Sequence, residues 1–270
     1  MNEVVVAKMD EAKSLEFIES CVEETLCAVG ATGSVLRMRP AASLPIDTDK
    51  LSAAVLNSTM LSFPEGMNRR YKTIIKRTFL FADVTAQIKY PNEKDEILRF
   101  QHMIKGLTAM GWSSFGSPAR INVEESSSGL TMSNVVLDIM ETMLSGVTGG
   151  VGAVMKTGAS TAITALKGNT EALKLYEKNG KKSEGSSFGI ASCAQDKEGD
   201  VYMALGGISY FATSGNTHIA FFDKTHSAAR VYQTKGIFTI YEDDYTPRKE
   251  EAANKFYEAI DAALELEFGI

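Results

Sequence analysis

Cysteine and histidine are the residue types of this chain most able to do covalent or metal chemistry. A thiolate is a strong nucleophile, and an imidazole accepts a proton near neutral pH. An odd number of cysteines without CxxC spacing argues against a disulfide framework and against zinc, and it suits a reducing compartment. The residues in question are Cys21, Cys27 and Cys193, and His102, His218 and His226.

Cys193 is the strongest candidate among them. It lies in the predicted strand SFGIASCAQ (187–195), among glycine and alanine, with no Lys, Arg or His in that stretch to lower its pKa. A free cysteine in such a setting is usually a small buried hydrophobe. The alternative is an acylation or ligand site that opens into an apolar cavity, with the Gly/Ala-rich segment 144–166 as one wall.

His218 and His226, with Asp223 between them, flank the end of one predicted strand. Either histidine could act as the base for a Cys193 nucleophile, and the pair could hold a metal. Recognised sites need a third placed group, so we assign neither catalytic residues nor metal ligands here. His102 falls between buried positions of a predicted helix and is expected to be structural.

Motifs of known enzyme classes are missing from the sequence. It has no GxxxxGK[ST] and no GxSxG string, and Gly149 to Gly152 lack dinucleotide-binding spacing. The adjacent carboxylates Asp243 and Asp244 point apart and are typical of a solvated turn. The sequence therefore favours a protein that is not an enzyme.

Composition places the chain among globular proteins. It has 270 residues, 44% of them hydrophobic and 23% charged, and a net charge of −6. A negative chain lacks the positive field that draws proteins to nucleic acid, and the basic run between Arg69 and Arg77 is typical of a solvated helix face. We expect no nucleic-acid partner.

The segment 144–166 (LSGVTGGVGAVMKTGASTAITAL) is the one stretch that invites a membrane interpretation. Lys156 divides it into pieces shorter than the roughly 20 apolar residues of a spanning helix, so a helix packed closely through its small residues is expected. The first residues, MNEVVVAKMDEAK, lack a signal-peptide core. We expect a protein that is cytoplasmic as synthesised, with non-classical export or membrane association left open.

Periodicity predicts one α+β domain over 1–270, mainly helical in 1–180, mainly β in 181–247 and helical in 248–270. The tight turns of the β region predict an antiparallel meander. Helices are expected from Asp10 to Gly30, from Asp47 or Asp49 through Met60, over 65–89 (with a strand over 78–88 as the alternative), over 92–111, from a Ser133 cap through Met143, over 144–166, from Asn169 to Asn179 and from Arg248 onward. Strands are expected over 34–39, 119–123, 188–193, 201–205, 208–213, 218–222, 230–232 and 237–241.

Several strings together resemble a known family. They are MIKGLTAMGW (103–112), SSSGLTMSNVVLDIM (126–140), ITALKGN (163–169), LYEKNGKKSEGSSFGIASCAQDKEGDVYMALGG (175–207) and IAFFDK (219–224). Their order is similar to that of the Erwinia virulence factor (Evf)-like family of bacterial and fungal proteins, mostly of unassigned function. The likeness covers most of the chain from residue 50 and contains no signature string.

This resemblance implies an α+β domain without known enzymatic activity, in which a cysteine in an apolar cavity carries a thioester-linked, palmitate-like acyl chain. Cys193 is the cysteine of the matching region, so that role falls on it. A fatty acyl chain or membrane lipid would then be the partner, and protein partners stay unidentified. A virulence role follows by analogy. Two alternatives remain: a cysteine-dependent enzyme that pairs Cys193 with His218 or His226, and a membrane-active toxin that uses 144–166.

Overall fold

Short apolar runs in this chain form strands of one mixed sheet, and amphipathic segments between them form helices on its two faces. The computed structural model describes residues 9–32, 52–92, 95–123, 131–145, 147, 150–182, 185–212, 220–223, 229–260 and 265–269. The predicted α+β class is confirmed, with helices mainly in the first two thirds. They are α1 (Glu11–Thr32), α2 (Arg69–Lys89), α3 (Glu96–Ala109), α4 (Met132–Leu144), α5 (Val151–Gly168), α6 (Thr170–Gly180) and α7 (Pro247–Ala259).

The sheet is built around an antiparallel meander, as predicted. Its three long strands are β6 (Gly185–Gln195), β7 (Val201–Ala212) and β8 (Ala229–Ile240). The smaller strands are β1 (Ser52–Leu56), β2 (Thr59–Phe63), β3 (Ser113–Ser114), β4 (Ala119–Val123), β5 (Lys181–Lys182) and β9 (Glu265–Gly269). The order is β3-β8-β7-β6-β2-β1-β9, with β4 also on β8 and β5 also on β6. The pairing of β2 with β6 is parallel.

Several predicted short strands are parts of longer ones. The interruption expected at Gly206 and Gly207 does not occur. Both glycines lie within β7 and pair with β6 on one side and with β8 on the other. The strands expected over 230–232 and 237–241 likewise join in β8. Residues 220–222 of the strand expected over 218–222 lie in a turn.

The helix predicted from Asp47 or Asp49 through Met60 is wrong. The described part of this segment forms the hairpin of β1 and β2, which turns at Asn57 with a positive φ of 53°. Both faces of β2 are buried, so its sequence, TMLSF, does not alternate between apolar and polar residues, and a short buried run of this kind does not distinguish a strand from a helix.

The helix predicted over 248–270 is also too long. α7 ends at Ala259, and β9 pairs antiparallel with β1, beginning with Glu265 opposite Leu56. The sequence ELEFG of β9 alternates charged and apolar residues, which is the period of a strand. The strand considered over 78–88 does not form, since α2 continues to Lys89.

Caps at helix starts agree in part with prediction. Asp10 caps α1, with its Oδ1 accepting from the Lys13 backbone N at 2.8 Å, and the helix continues past Gly30 to Thr32. α4 is capped by Thr131 instead of Ser133, because the Thr131 Oγ1 accepts from the Asn134 N. Asp95 precedes α3 without a side-chain cap bond. The strand expected over 34–39 lies outside the described residues.

Helices cover both faces of the sheet in two layers. The first helical layer, α1, α2, α3 and α7, shares an apolar cluster with Ala191 and Cys193 of β6. The second helical layer, α4, α5 and α6, shares a separate cluster with Ile190 and Ala194 of the same strand. Successive strand residues point to opposite faces, so each strand contributes to both clusters.

The helix expected over 144–166 is shorter than predicted, because α4 ends at Leu144 and α5 begins at Val151. α5 lies close to the sheet through its small residues, as expected. A Cβ on Gly158 would come within 3.1 Å of the Ser192 Oγ and 3.3 Å of the Ser62 Oγ. Ser62 donates to Ser192 at 2.9 Å, and Ser192 donates to the Met155 carbonyl at 2.6 Å. No helix within the described ranges is long and apolar enough to cross a membrane.

The approach of α5 predicts the effect of a larger residue at Gly158. Gly158→Leu must displace the helix from Ser62 and Ser192, and we expect the free energy of unfolding to fall by about 1–3 kcal/mol. Gly168→Leu is the matched control, because nothing lies within 4 Å of a Cβ there. Urea unfolding monitored by circular dichroism measures both, and equal midpoints for the two variants would contradict the proposed contact.

Candidate functional site

Cys193 lies at the centre of the sheet face that the first helical layer covers. Its side chain is 1% exposed, Met203 is its direct partner on β7, and Phe238 is the partner of Met203 on β8. Burial raises the pKa of the Cys193 thiol well above its usual range, and no neighbouring charge in the described chain contributes to this shift. The thiol is therefore protonated at neutral pH.

The wall predicted beside Cys193 is wrong. Ser192 points toward α5 and bonds to the Met155 carbonyl, so the next residue, Cys193, points away from α5. The Gly/Ala-rich helix and the thiol lie on opposite faces of the sheet. The elements that face Cys193 belong to the first helical layer instead.

The predicted bases His218 and His226 lie outside the described residues, so their pairing with Cys193 stays a prediction. The third histidine, His102, has the structural role expected of it. Its ring lies 5.2 Å from that of Phe17 and 5.9 Å from that of Tyr90, measured between ring centroids.

His102 also contacts a thiol that sequence reasoning did not connect with it. The Cys21 Sγ lies 3.6 Å from the His102 Nε2. Burial raises the pKa of Cys21 to about 12, and burial lowers the pKa of His102 to about 4. Both groups are neutral at pH 7, which is the opposite of an activated thiolate–imidazolium pair. The two residues are 81 positions apart, so no local spacing could have indicated the contact.

A cavity of about 80 Å³ lies between the first helical layer and the sheet, on the same face as Cys193 but without Cys193 in its lining. We call it the polar cavity. Small residues on the sheet side, including Gly189 and Gly207, leave this volume open. Its charged lining residues are Asp83, Glu96, Arg99, Arg120 and Lys182, and its apolar ones include Phe79, Phe100, Met103 and Leu205.

An ion pair crosses this cavity from helix to sheet. The Arg120 Nη2 of β4 lies 2.6 Å from the Glu96 Oε2 at the start of α3, and both side chains are less than a tenth exposed. Arg120 also donates to the Ser209 Oγ at 2.6 Å and to the Thr234 Oγ1. Burial lowers the pKa of Arg120, and the charge of Glu96 opposes that shift.

Two buried polar atoms of this pair have no hydrogen-bond partner among the described residues. They are the Glu96 Oε1 and the Arg120 Nε. The Arg99 Nη1 lies 3.6 Å from the Glu96 Oε1, which is beyond hydrogen-bond distance. An unpaired buried acceptor and donor each cost about 1–3 kcal/mol, so this ion pair is held at a cost in stability.

Asp83 forms another side of the polar cavity. Its Oδ2 accepts from the Asn57 Nδ2 at 2.9 Å and from the Gln87 Nε2 at 3.0 Å. Burial raises the pKa of Asp83, and the two amide bonds oppose the shift. Asp83, Gln87 and Lys182 are partly exposed, so the cavity reaches solvent on this side.

Sequence reasoning missed the polar cavity. The available signal was Arg120, a charged residue within the predicted strand 119–123. A buried arginine needs an anionic partner, but the sequence does not say which of many carboxylates provides it.

The basic run between Arg69 and Arg77 is less exposed than expected at its end. The Arg77 Nη1 lies 2.5 Å from the Glu250 Oε1 of α7.

Comparison with known proteins identifies no family. No protein-family model and no curated protein matches the sequence. A solved structure described as a delta-endotoxin is similar over 76% of this chain and 88% of its own, with 10% identity and a TM-score of 0.38. The structure of the Evf virulence factor is similar over 87% and 89%, with 12% identity and a TM-score of 0.37. Likenesses this distant carry no argument about function.

Burial of the thiols predicts their order of reaction. Cys27 is exposed, whereas Cys21 and Cys193 are buried. A disulfide reagent such as DTNB should modify one thiol quickly in the native protein and two more on unfolding, because reagent access limits the reaction. Cys27→Ser should abolish the fast phase, and a fast thiol that survives in this variant would contradict the burial of the other two.

The lowered pKa of His102 predicts a pH dependence of stability. The usual value is 6.5 and the folded value is about 4. Between them the unfolded chain binds a proton that the native chain does not, so the free energy of unfolding falls as the pH drops through this window. We expect a loss on the order of 2 kcal/mol from this group, and none above pH 7.

His102→Gln should flatten the stability profile between pH 6.5 and 4. Cys27→Ser, at an exposed thiol, is the control and should keep the wild-type slope. Urea unfolding at several pH values measures both, and equal slopes for His102→Gln and wild type would refute the assignment.

Proposed function

We propose that this chain is a non-enzymatic, lipid-binding effector-like protein that holds a fatty acyl chain on Cys193 through a thioester. The observation that carries the proposal is the setting of the thiol, which lies within the larger apolar cluster and has a pKa shifted by burial alone. An acyl chain attached there would meet apolar side chains, and its burial would be favourable at about 0.8 kcal/mol per CH₂.

The residues around Cys193 fit a hydrocarbon chain in their chemistry. Met203 and Phe238 share its row across the sheet, and the same cluster contains Met67, Met103 and Met110. Methionine side chains are unbranched and adapt to irregular volumes, so they can repack around a chain. Met203 would lie beside the thioester and Phe238 next to Met203, and the other methionines would line the path of the chain.

Acylation at Cys193 requires an acyl thioester as donor. The Cys193 sulfur forms the new bond to the acyl carbon, the donor's carbon–sulfur bond breaks, and the thiol proton of Cys193 ends on the donor's thiol. Because Cys193 is 1% exposed, the reaction takes place before the first helical layer closes over the sheet. A single chain held inside the fold suits this arrangement, since one exposed acyl chain anchors a protein to membranes only weakly.

The enzyme alternative requires a thiolate at Cys193. A raised pKa opposes thiolate formation, whereas catalytic cysteines have lowered values. The environment of Cys193 therefore favours a stably attached acyl group over a catalytic nucleophile.

Intact mass measurement tests the proposal. Wild-type protein refolded with palmitoyl-coenzyme A should gain the mass of one acyl group, and hydroxylamine should remove it, because hydroxylamine cleaves thioesters. Cys193→Ser should gain no mass, while the matched controls Cys21→Ser and Cys27→Ser should gain it as the wild type does. Failure of wild type to gain mass, or an unchanged gain in Cys193→Ser, would overturn the assignment.

A further inference from the structure

Three arginine side chains line a second cavity, between the start of α2 and the start of α7. It has a volume of about 320 Å³, and we call it the arginine cavity. Arg69, Arg70 and Arg77 lie on the α2 side, and Tyr245 and Glu250 lie on the other side. The basic run of α2 is therefore one wall of a concave site as well as a helix face in contact with solvent.

Arg77 is held in position by two contacts. Its Nη1 lies 2.5 Å from the Glu250 Oε1, and its guanidinium carbon lies 4.5 Å from the centroid of the Tyr257 ring. These contacts orient the guanidinium group before any ligand binds. A guanidinium group has five N–H donors, and the bond to Glu250 uses one of them. Arg77 can therefore bind a second anion while it keeps Glu250.

Charge favours an occupant with two negative charges. Three guanidinium groups and one carboxylate line the cavity, which gives a local balance of plus two. The first turn of α2 adds partial positive charge, because the N–H dipoles of a helix sum toward its N-terminus. This local balance contrasts with the net charge of −6 of the whole chain.

Guanidinium geometry narrows the class to phosphate. Each guanidinium group presents paired N–H donors that match two oxygens of one anion. A phosphate monoester has three terminal oxygens and carries about −1.5 to −2 charges at pH 7. Ligand clefts in proteins measure roughly 300–1,000 Å³, so this cavity accommodates the phosphate and part of the group esterified to it.

We propose that the arginine cavity binds a phosphate monoester. Its terminal oxygens accept hydrogen bonds from Arg69, Arg70 and Arg77, and the esterified group points to solvent. Two sources share this chemistry, a soluble phosphate monoester and the headgroup of a lipid such as phosphatidic acid. Cys193 does not line this cavity, so the binding is independent of any acyl group on the thiol.

Isothermal titration calorimetry of the full chain with glycerol 3-phosphate tests the site. Ionic strength is held constant, because salt screens exposed charges. One molecule should bind per chain. Dimethyl phosphate, a diester with one charge, should bind about tenfold more weakly, because it loses a hydrogen bond to a charged group. Absence of binding by glycerol 3-phosphate, or equal affinity for dimethyl phosphate, overturns the proposal.

Two neutral variants tie the binding to named residues. Arg69→Gln and Arg70→Gln should each weaken the binding of glycerol 3-phosphate about tenfold, for the same reason. Arg248→Gln is the matched control, because Arg248 is exposed on α7, does not line the cavity and carries the same charge. Equal weakening in Arg248→Gln would mean that only the overall charge matters, and it would overturn the proposal.

Arg77→Lys separates arginine geometry from charge. This variant keeps the positive charge and loses the paired donors, so binding should weaken about tenfold. Wild-type affinity in Arg77→Lys would refute the assigned contact. Cys193→Ser should bind glycerol 3-phosphate as wild type does, which separates this site from acylation.

Sedimentation with vesicles distinguishes the two sources of phosphate. Phosphatidylcholine vesicles containing phosphatidic acid present a monoester, and those containing phosphatidylglycerol at matched surface charge present a diester. A preference for phosphatidic acid that Arg69→Gln weakens supports a lipid headgroup as the ligand. Binding of glycerol 3-phosphate without such a preference supports a soluble monoester. Failure to bind glycerol 3-phosphate overturns the proposal whatever the vesicles show.

Discussion

The burial of the central sheet on both faces is the constraint on which the rest of this structure depends. A strand between two helical layers has no solvent on either side, so each of its polar side chains must find a partner within the protein. Ser62 and Ser192 satisfy this by bonding in series to the Met155 carbonyl, which also draws α5 close to the sheet. Arg120 satisfies it with Glu96, Ser209 and Thr234 on the other face. The Glu96 Oε1 and the Arg120 Nε are exceptions to this rule, since neither has a hydrogen-bond partner among the described residues.

Cys193 and the polar cavity lie on the same face of the sheet, under the first helical layer, but their chemical environments differ. Around Cys193 the layer is apolar, and the thiol interacts with no charge in the described chain. Gly189 lies four residues before Cys193 on β6 and has no side chain. Charged side chains from α2, α3 and β4 line the polar cavity there. One layer thus provides an apolar environment suited to a hydrocarbon chain and, beside it, a polar one with buried charges.

Local sequence patterns predicted the elements whose periodicity is unambiguous. The amphipathic helices, the antiparallel meander and the close packing of 144–166 all follow from spacing and residue size, which act over a few residues. The hairpin of β1 and β2 was mistaken for a helix because a strand buried on both faces does not alternate. The strand β9 was missed although its residues alternate, because the alternation spans only five residues and its partner, β1, is more than 200 residues away.

The sequence by itself determined the α+β class and the order of most elements, and it singled out Cys193, the cysteine outside the first helix, as a candidate. Only the tertiary structure decided which face of the sheet the thiol occupies, that Cys21 meets His102, and that Glu96 meets Arg120 beside a cavity. The physical reason is that strand and helix periods are local properties, whereas contacts between residues far apart depend on how whole elements pack. The sequence prediction placed α5 beside Cys193, whereas the hydrogen bond from Ser192 to the Met155 carbonyl puts α5 on the opposite face of the sheet.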